Sequence, residues 1–298
     1  MRQILTVFSL GLVGLLATPA IVTAESVMDK VKRTGTLTAG TSSDAIPFAY
    51  RDQSGKLTGY SVAMLELMRE RLEQVTGRSV KLDLVALPPN SRISSIRQGK
   101  VDVVCDLSSF TWQRDQQVDF SLAYATTGTQ LLVKRWQNFS GPAALINKKI
   151  GAFPGTTNEL AVKRTQPKAK VVAMRTLKGA FQDLRVGKID AFAWDGVLLE
   201  AELNSTDQWR EFKIVQGEPL SKEGVSCMVP ENNSRFLDNV NYALFRHMQG
   251  FVQGEAKYTR IFDRWFGPKS VLPLSRDYRE LVLETMRLTV DSREEIQE

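Results

Sequence analysis

Residues 95–103 read SIRQGKVDV, and residues 183–191 read DLRVGKIDA. Each is a helix end, a Gly-Lys pair, a β-branched residue, an aspartate and the opening of an apolar run. Glycine stops a helix and β-branched residues start a strand, so each stretch is a helix-to-strand unit. Its recurrence in similar surroundings predicts two similar α/β lobes. Before the first copy, Gly35–Gly40 reads as a strand following an amphipathic turn around Val27–Val31. Val62, Met64, Leu65, Leu67, Met68 and Leu72 then keep a helical spacing between Tyr60 and Val75, with Gly77 at the stop. Val80, Leu82 and Leu84 alternate with Lys81 and Asp83 as a half-buried strand, and a short helix spans Ser91–Gln98. Before the second copy, Lys149–Phe153 forms a strand running into Pro154-Gly155-Thr156-Thr157. A helix (Glu159–Arg164), a strand (Val171–Ala173) and a helix (Leu177–Leu184) follow. This alternation is that of a wound parallel sheet.

Two extended segments, Thr129–Lys134 and Gly224–Val229, bracket the second unit. If both cross between lobes, the first lobe is discontinuous (25–130 plus 230–270), the second spans 131–229, and the two are joined by a two-strand hinge. Helices are expected over Ser234–Phe251 and Tyr258–Phe266, and residues 271–298 form a helical tail lying on the surface.

The first 24 residues carry one charge, Arg2, an apolar core from Ile4 to Leu16, and the small-residue ending Val22-Thr23-Ala24. The apolar core is shorter than the roughly 20 residues of a membrane span, and Pro19 follows it. This is the pattern of a secretory signal cleaved near Ala24. No cysteine near that site suggests a lipid anchor. In an exported protein disulfides survive, so Cys105 and Cys227 are either a bridge or two buried thiols, with the bridge favoured. The net charge of +6 can steer anions. Lys and Arg are spread thinly, with no dense run interleaved with aromatics, so nucleic acid is not an expected partner.

A single histidine, His247, stands on an amphipathic helix and reads as a helix-surface or core-edge residue. There is no G-x-S-x-G elbow, no P-loop and no G-x-G-x-x-G fingerprint. The composition therefore points to binding rather than catalysis, with no cofactor and no metal. The stretch VDVVCDLSSFTWQRDQQVDFS (101–121) shows what could be bound. If Val101–Cys105 is a strand, Leu107–Ser109 is its exit loop and Thr111–Gln116 begins a helix. A helix start favours anions, Ser109 adds a hydroxyl, and Arg114 offers a planar fork suited to a carboxylate. The alternative is that Ser109 or Thr111 simply caps the helix. In the second lobe Gly155-Thr156-Thr157 is another anion-friendly helix start. Asp195 follows the strand Ala191–Trp194, either as a cap for the helix Gly196–Leu203 or as a carboxylate facing the clamp. A carboxylate opposite a carboxylate clamp suits a zwitterion.

The run from Gly99 to Tyr124 resembles the extracellular solute-binding proteins of family 3, the periplasmic polar amino-acid receptors of ABC importers. Pro47-Phe48, Gly59-Tyr60, Gly155-Thr156-Thr157, Gly187-Lys188-Ile189-Asp190 with Asp195, and Tyr258…Trp265-Phe266 fall in that family's order. The cysteine pair, Arg92-Ile93 and Cys227-Met228 look most like its glutamate/aspartate-binding branch. The resemblance implies a two-lobed Venus-flytrap fold (type II periplasmic binding protein) that closes on one amino acid, acts as a monomer in the periplasm, and delivers its ligand to a membrane permease. By position, Arg114 and Ser109 would hold the α-carboxylate with help from Thr156 or Thr157, and Asp195 would receive the α-ammonium. Leu107 would contribute through its backbone, and Arg92 would meet a side-chain carboxylate. Three positions depart from the branch: Ser42 and Leu177 stand where it has an arginine and a histidine, and Pro89 where it has a serine. Burying an acidic side chain with fewer partners is costly, which implies altered specificity, towards a neutral polar or larger amino acid. Gly59-Tyr60-Ser61 also lacks the family's acid after the aromatic. A sensory module for a signalling partner and a cyclohexadienyl-dehydratase-like enzyme are the alternative functions on the same fold.

Overall fold

The computed structural model describes residues 25–274 and 276–293; the expected secretory signal, 1–24, lies outside them. Helix α1 (Val27–Thr34) is a full helix rather than a turn, capped by Ser26, whose Oγ accepts from Asp29 N. Then come β1 (Thr36–Thr41), the small sheet of β2 (Asp44–Ala45), β3 (Ala49–Arg51) and β4 (Leu57–Thr58), and helix α2 (Tyr60–Thr76). Strand β5 (Lys81–Ala86), α3 (Arg92–Arg97), β6 (Val103–Val104), α4 (Trp112–Asp115) and β7 (Asp119–Thr127) complete the outward run. The second lobe holds β8 (Thr129–Lys134), β9 (Lys149–Ala152), α5 (Thr157–Thr165), β10 (Lys170–Ala173), α6 (Leu177–Arg185), β11 (Ala191–Asp195), α7 (Gly196–Ser205) and β12 (Phe212–Ile214). The chain returns through β13 (Glu223–Val229) and ends in α8 (Ser234–Val252), α9 (Ala256–Phe266) and α10 (Arg276–Asp291).

Two five-stranded sheets result, ordered β5-β1-β6-β13-β7 and β10-β9-β11-β8-β12. In each, three parallel strands are followed by two antiparallel crossing strands. The duplicated unit does the same job in both. Asp102 N donates to Thr38 O at 2.7 Å and its Oδ2 accepts from Thr38 N at 2.9 Å. Asp190 N donates to Lys149 O at 2.7 Å and its Oδ2 accepts from Lys149 N at 2.8 Å. Each aspartate thus engages both backbone groups of one residue at the start of the neighbouring central strand. The turn before it needs a left-handed residue, and Gly99 (φ 65°) and Gly187 (φ 79°) supply it. Asp102 also pairs with Lys30 at 2.7 Å, which ties α1 to the sheet.

The outward crossing is made at Gly128, the one residue between β7 and β8. The return differs from the expected boundary at 229. Glu223–Val229 pairs antiparallel with β7, so it belongs to the first sheet, and the second lobe ends before it. An apolar extended segment announces a strand but not the sheet it joins. Strand β6 is shorter than expected, because the side chain of Asp102 replaces the start of the ladder, and helix α4 is a single turn between the caps Thr111 and Gln116. The tail is not merely surface-lying: α10 sends Met286 and Val290 into the first lobe's core beside Phe236 and Phe251. His247 is no surface residue either. It is wholly buried with Nε2 2.9 Å from Tyr60 Oη, and burial pushes its pKa down to about 3, so it is neutral.

Cys105, just after β6, and Cys227, within the neighbouring β13, form a disulfide across a sequence separation of 122 residues. Closing so long a loop removes much unfolded-chain entropy. The double variant Cys105→Ala/Cys227→Ala is expected to lose about 2–4 kcal/mol of stability in urea unfolding. A midpoint equal to that of the oxidised parent would contradict this.

Candidate functional site

The site lies where the C-terminal ends of the parallel strands of both sheets meet the hinge. Thr111 caps α4, its Oγ1 accepting from Arg114 N at 3.1 Å, so the capping reading holds for that residue. Ser109 does not cap. Its carbonyl accepts from Arg114 Nη1 at 2.9 Å, and Nη2 reaches Gly155 O in the second lobe at 3.3 Å. The Arg114 guanidinium is thus held by neutral carbonyls, and no carboxylate among the described residues forms an ion pair with it. Burial, and then the neighbouring Arg92, hold its pKa below the usual arginine value. Three of its five N–H groups remain to donate.

Arg92 has a different fate. It ion-pairs with Asp106 (Nε to Oδ2, 2.6 Å), donates from Nη2 to Ser42 Oγ at 2.7 Å, and reaches Ser108 Oγ from Nη1 at 3.4 Å. Ser108 also donates to the Asp106 carboxylate. The carbonyl of Asp106 accepts from Tyr124 Oη at 2.6 Å, and Ser61 Oγ lies 2.8 Å from that same hydroxyl. Tyr124 has one proton and gives it to Asp106, so Ser61 is the donor to Tyr124. Ser61, the position without the family's acid, is therefore a buried prop for this loop. Leu107 packs its side chain into the first lobe's core, which leaves its backbone on the loop.

In the second lobe Thr156 is the N-cap of α5. Its Oγ1 accepts from Glu159 N at 3.3 Å and donates to Phe153 O at 2.7 Å. That hydroxyl is committed, whereas Thr157 has no side-chain partner among the described residues. The N–H groups of Thr157 and Asn158 open the helix and have no intrahelical acceptor. Asp195 occupies the N-cap position of α7 yet makes no capping bond. Its Oδ1 accepts from Thr127 Oγ1 at 3.1 Å, a contact between β11 and the end of the outgoing crossing strand, and Asn158 bonds it as well. Burial, and then the nearby Glu223 carboxylate, push its pKa up to about 7.

The structure therefore brings Ser109 and Arg114 to Gly155–Thr157, with Asp195 at the hinge, and sets Arg92 beside them with Asp106. Sequence reasoning missed Asp106, Thr127, Asn158, Ser221 and Glu223. Asn158 Nδ2 donates to Thr129 Oγ1 at 3.1 Å, Thr129 Oγ1 and Ser221 Oγ are 2.8 Å apart, and Ser221 donates to Glu223 Oε1. The other oxygen, Oε2 of Glu223, is buried with no hydrogen-bond partner among the described residues. The available signals were positional: Asp106 follows a strand end as Asp195 closes one, and Glu223 opens the returning strand.

Residues 37–268 match the model of the bacterial extracellular solute-binding proteins, family 3. The L-glutamate/L-aspartate-binding protein of Pseudomonas aeruginosa is 29% identical, with 95% of this chain and 96% of that protein covered. The L-cystine-binding protein of Escherichia coli is 27% identical over 82% of this chain and 87% of its own. Among solved structures, an ancestral arginine-binding protein bound to glutamine has a TM-score of 0.67 and 29% identity, covering 78% of this chain and 98% of that one.

The Asp195 carboxyl has a testable consequence. Between its ordinary value of 3.8 and about 7 the folded state keeps a proton that the unfolded state has released. This group's contribution to the stability of ligand-free protein therefore falls as pH rises through that window. Asp195→Asn should flatten the decline in melting temperature between pH 5 and 8. Parallel pH profiles for the two proteins would show the assignment to be wrong.

Proposed function

The chain belongs to the bacterial extracellular solute-binding proteins, family 3, and on that premise we propose that it captures one free amino acid between its lobes and hands it to an ABC-type permease. The observation that carries the reading is a half-buried guanidinium and a buried carboxyl, neither with a counter-ion among the described residues. Arg114 stands on the first lobe and Asp195 on the second, and an amino acid offers each the charge it lacks. The α-carboxylate accepts from the Arg114 fork, from Ser109 and from the Thr157 hydroxyl and N–H groups. The α-ammonium donates to Asp195. Only the closed arrangement serves both ends, so ligand draws the lobes together by binding that state more tightly. Relatives named for glutamate/aspartate and for cystine, and a neighbour bound to glutamine, support the amino-acid class.

The setting belongs to the same proposal. A buried disulfide fits an oxidising compartment such as the periplasm, where the receptor works as a monomer after its signal is removed. The permease is its partner.

The reading is tested by calorimetric titration of each of the twenty amino acids into protein freed of bound ligand by unfolding and refolding. At least one should bind with a saturable isotherm, and none binding would overturn the proposal. Arg114→Ala should weaken that binding about 100-fold or more while keeping a cooperative unfolding transition. Undiminished affinity in this variant would remove the carboxylate assignment.

A further inference from the structure

We propose that Asp106 decides which amino acids the cleft accepts. By neutralising Arg92 it makes the side-chain end of the pocket an uncharged polar wall, selecting carboxamide side chains and rejecting carboxylates. The inference rests on the amino-acid reading above and names its ligand class.

Asp106 is wholly buried and the Arg92 side chain is 12% exposed, so both charges are largely out of water and each is the other's partner at 2.6 Å. Among the described residues Asp106 pairs with no other cation. A ligand carboxylate on Arg92 would place a second anion against one guanidinium, beside a carboxylate that cannot move into solvent. Breaking the internal pair instead would leave Asp106 buried and uncompensated. Either route is unfavourable for an acidic side chain.

Arg92 nonetheless lies beside the clamp residue Arg114. It reaches Ser108, while Arg114 is held by the carbonyl of the next residue, Ser109, so the two guanidiniums grip neighbouring links of one loop. The charge of Arg92 is felt at Arg114 and at Asp195. An amino acid with its carboxylate on Arg114 carries its side chain past Arg92. The terminal nitrogens of Arg92 donate one hydrogen each, to Ser42 and Ser108, and carry two more. A carboxamide oxygen can accept these without adding charge, and its NH₂ can donate to the serine oxygens. A cationic side chain would bring donors against donors. Glu223 strengthens the exclusion of acids, because its buried, unpartnered oxygen adds negative charge near Asp195.

The experiment is calorimetric titration of the intact protein with glutamine, asparagine, glutamate, aspartate and arginine. In the parent protein a carboxamide should bind at least about tenfold tighter than its matching acid. Asp106→Asn, which frees the Arg92 charge, should move that ratio about tenfold or more towards the acid. The double variant Arg92→Gln/Asp106→Asn removes both charges and should show no such move. Should Asp106→Asn fail to fold, the parent's own ratio decides the matter. Glutamate bound as tightly as glutamine, arginine bound more tightly than either amide, or a folded Asp106→Asn with the parent's ratio would each overturn the inference while leaving the receptor reading intact. Binding by none of the twenty amino acids would overturn both.

Discussion

An arginine and an aspartate face a cleft from opposite lobes, and neither has an ion-pair partner among the described residues. Removing a charge from water without a counter-ion is expensive, so Arg114 and Asp195 are tolerated only because neutral dipoles hold them. Carbonyls of Ser109 and Gly155 cradle the first, and Thr127 and Asn158 donate to the second. Those dipoles come from a loop, a turn, a strand end and a helix start. The sheets, the caps and the hinge can all be understood as the framework that holds these two incompletely paired groups in place.

The contrast between the two arginines of the cleft is instructive. Arg114 and Arg92 serve the same short loop, Asp106 to Ser109, yet one is left open and the other is closed by a carboxylate inside the protein. The closed pair is propped from behind through Tyr124 and Ser61. A positive residue in a binding cleft is therefore not in itself evidence for an anionic ligand, because its effective charge depends on what stands behind it.

The duplicated helix-to-strand unit was legible because its parts act locally. Glycine at a left-handed turn, a β-branched strand start and an aspartate beside it all fall within a few residues. The same local logic offered Ser109 or Thr111 as a cap, and the structure gives that part to Thr111. What escaped was tertiary. Asp106 lies beside Ser108 and Ser109 in the chain, but its meaning comes from Arg92, on a different element. Glu223–Val229 is plainly a strand, yet its sheet is settled by pairing with Asp119–Thr127, about a hundred residues earlier in the chain. The burial of His247 depends on Tyr60, far away in sequence. Asp195 looked like a cap by position, and only the side chain's turn towards Thr127 shows otherwise.

The bridge between Cys105 and Cys227 encloses all of the second lobe and both hinge crossings within one covalent ring. The chain leaves the ring's clasp at the loop that holds Asp106 and re-enters it beside the returning strand. A peptide bond cut anywhere on the second lobe's surface would open the ring without releasing either fragment. Seen as wiring, the second lobe is a cassette spliced into a closed circuit, and lengthening, trimming or exchanging it leaves the first lobe's connections in place. Such an arrangement lets one half of a binding cleft diverge while the other half, and the surface it shows to partners, stays as it was.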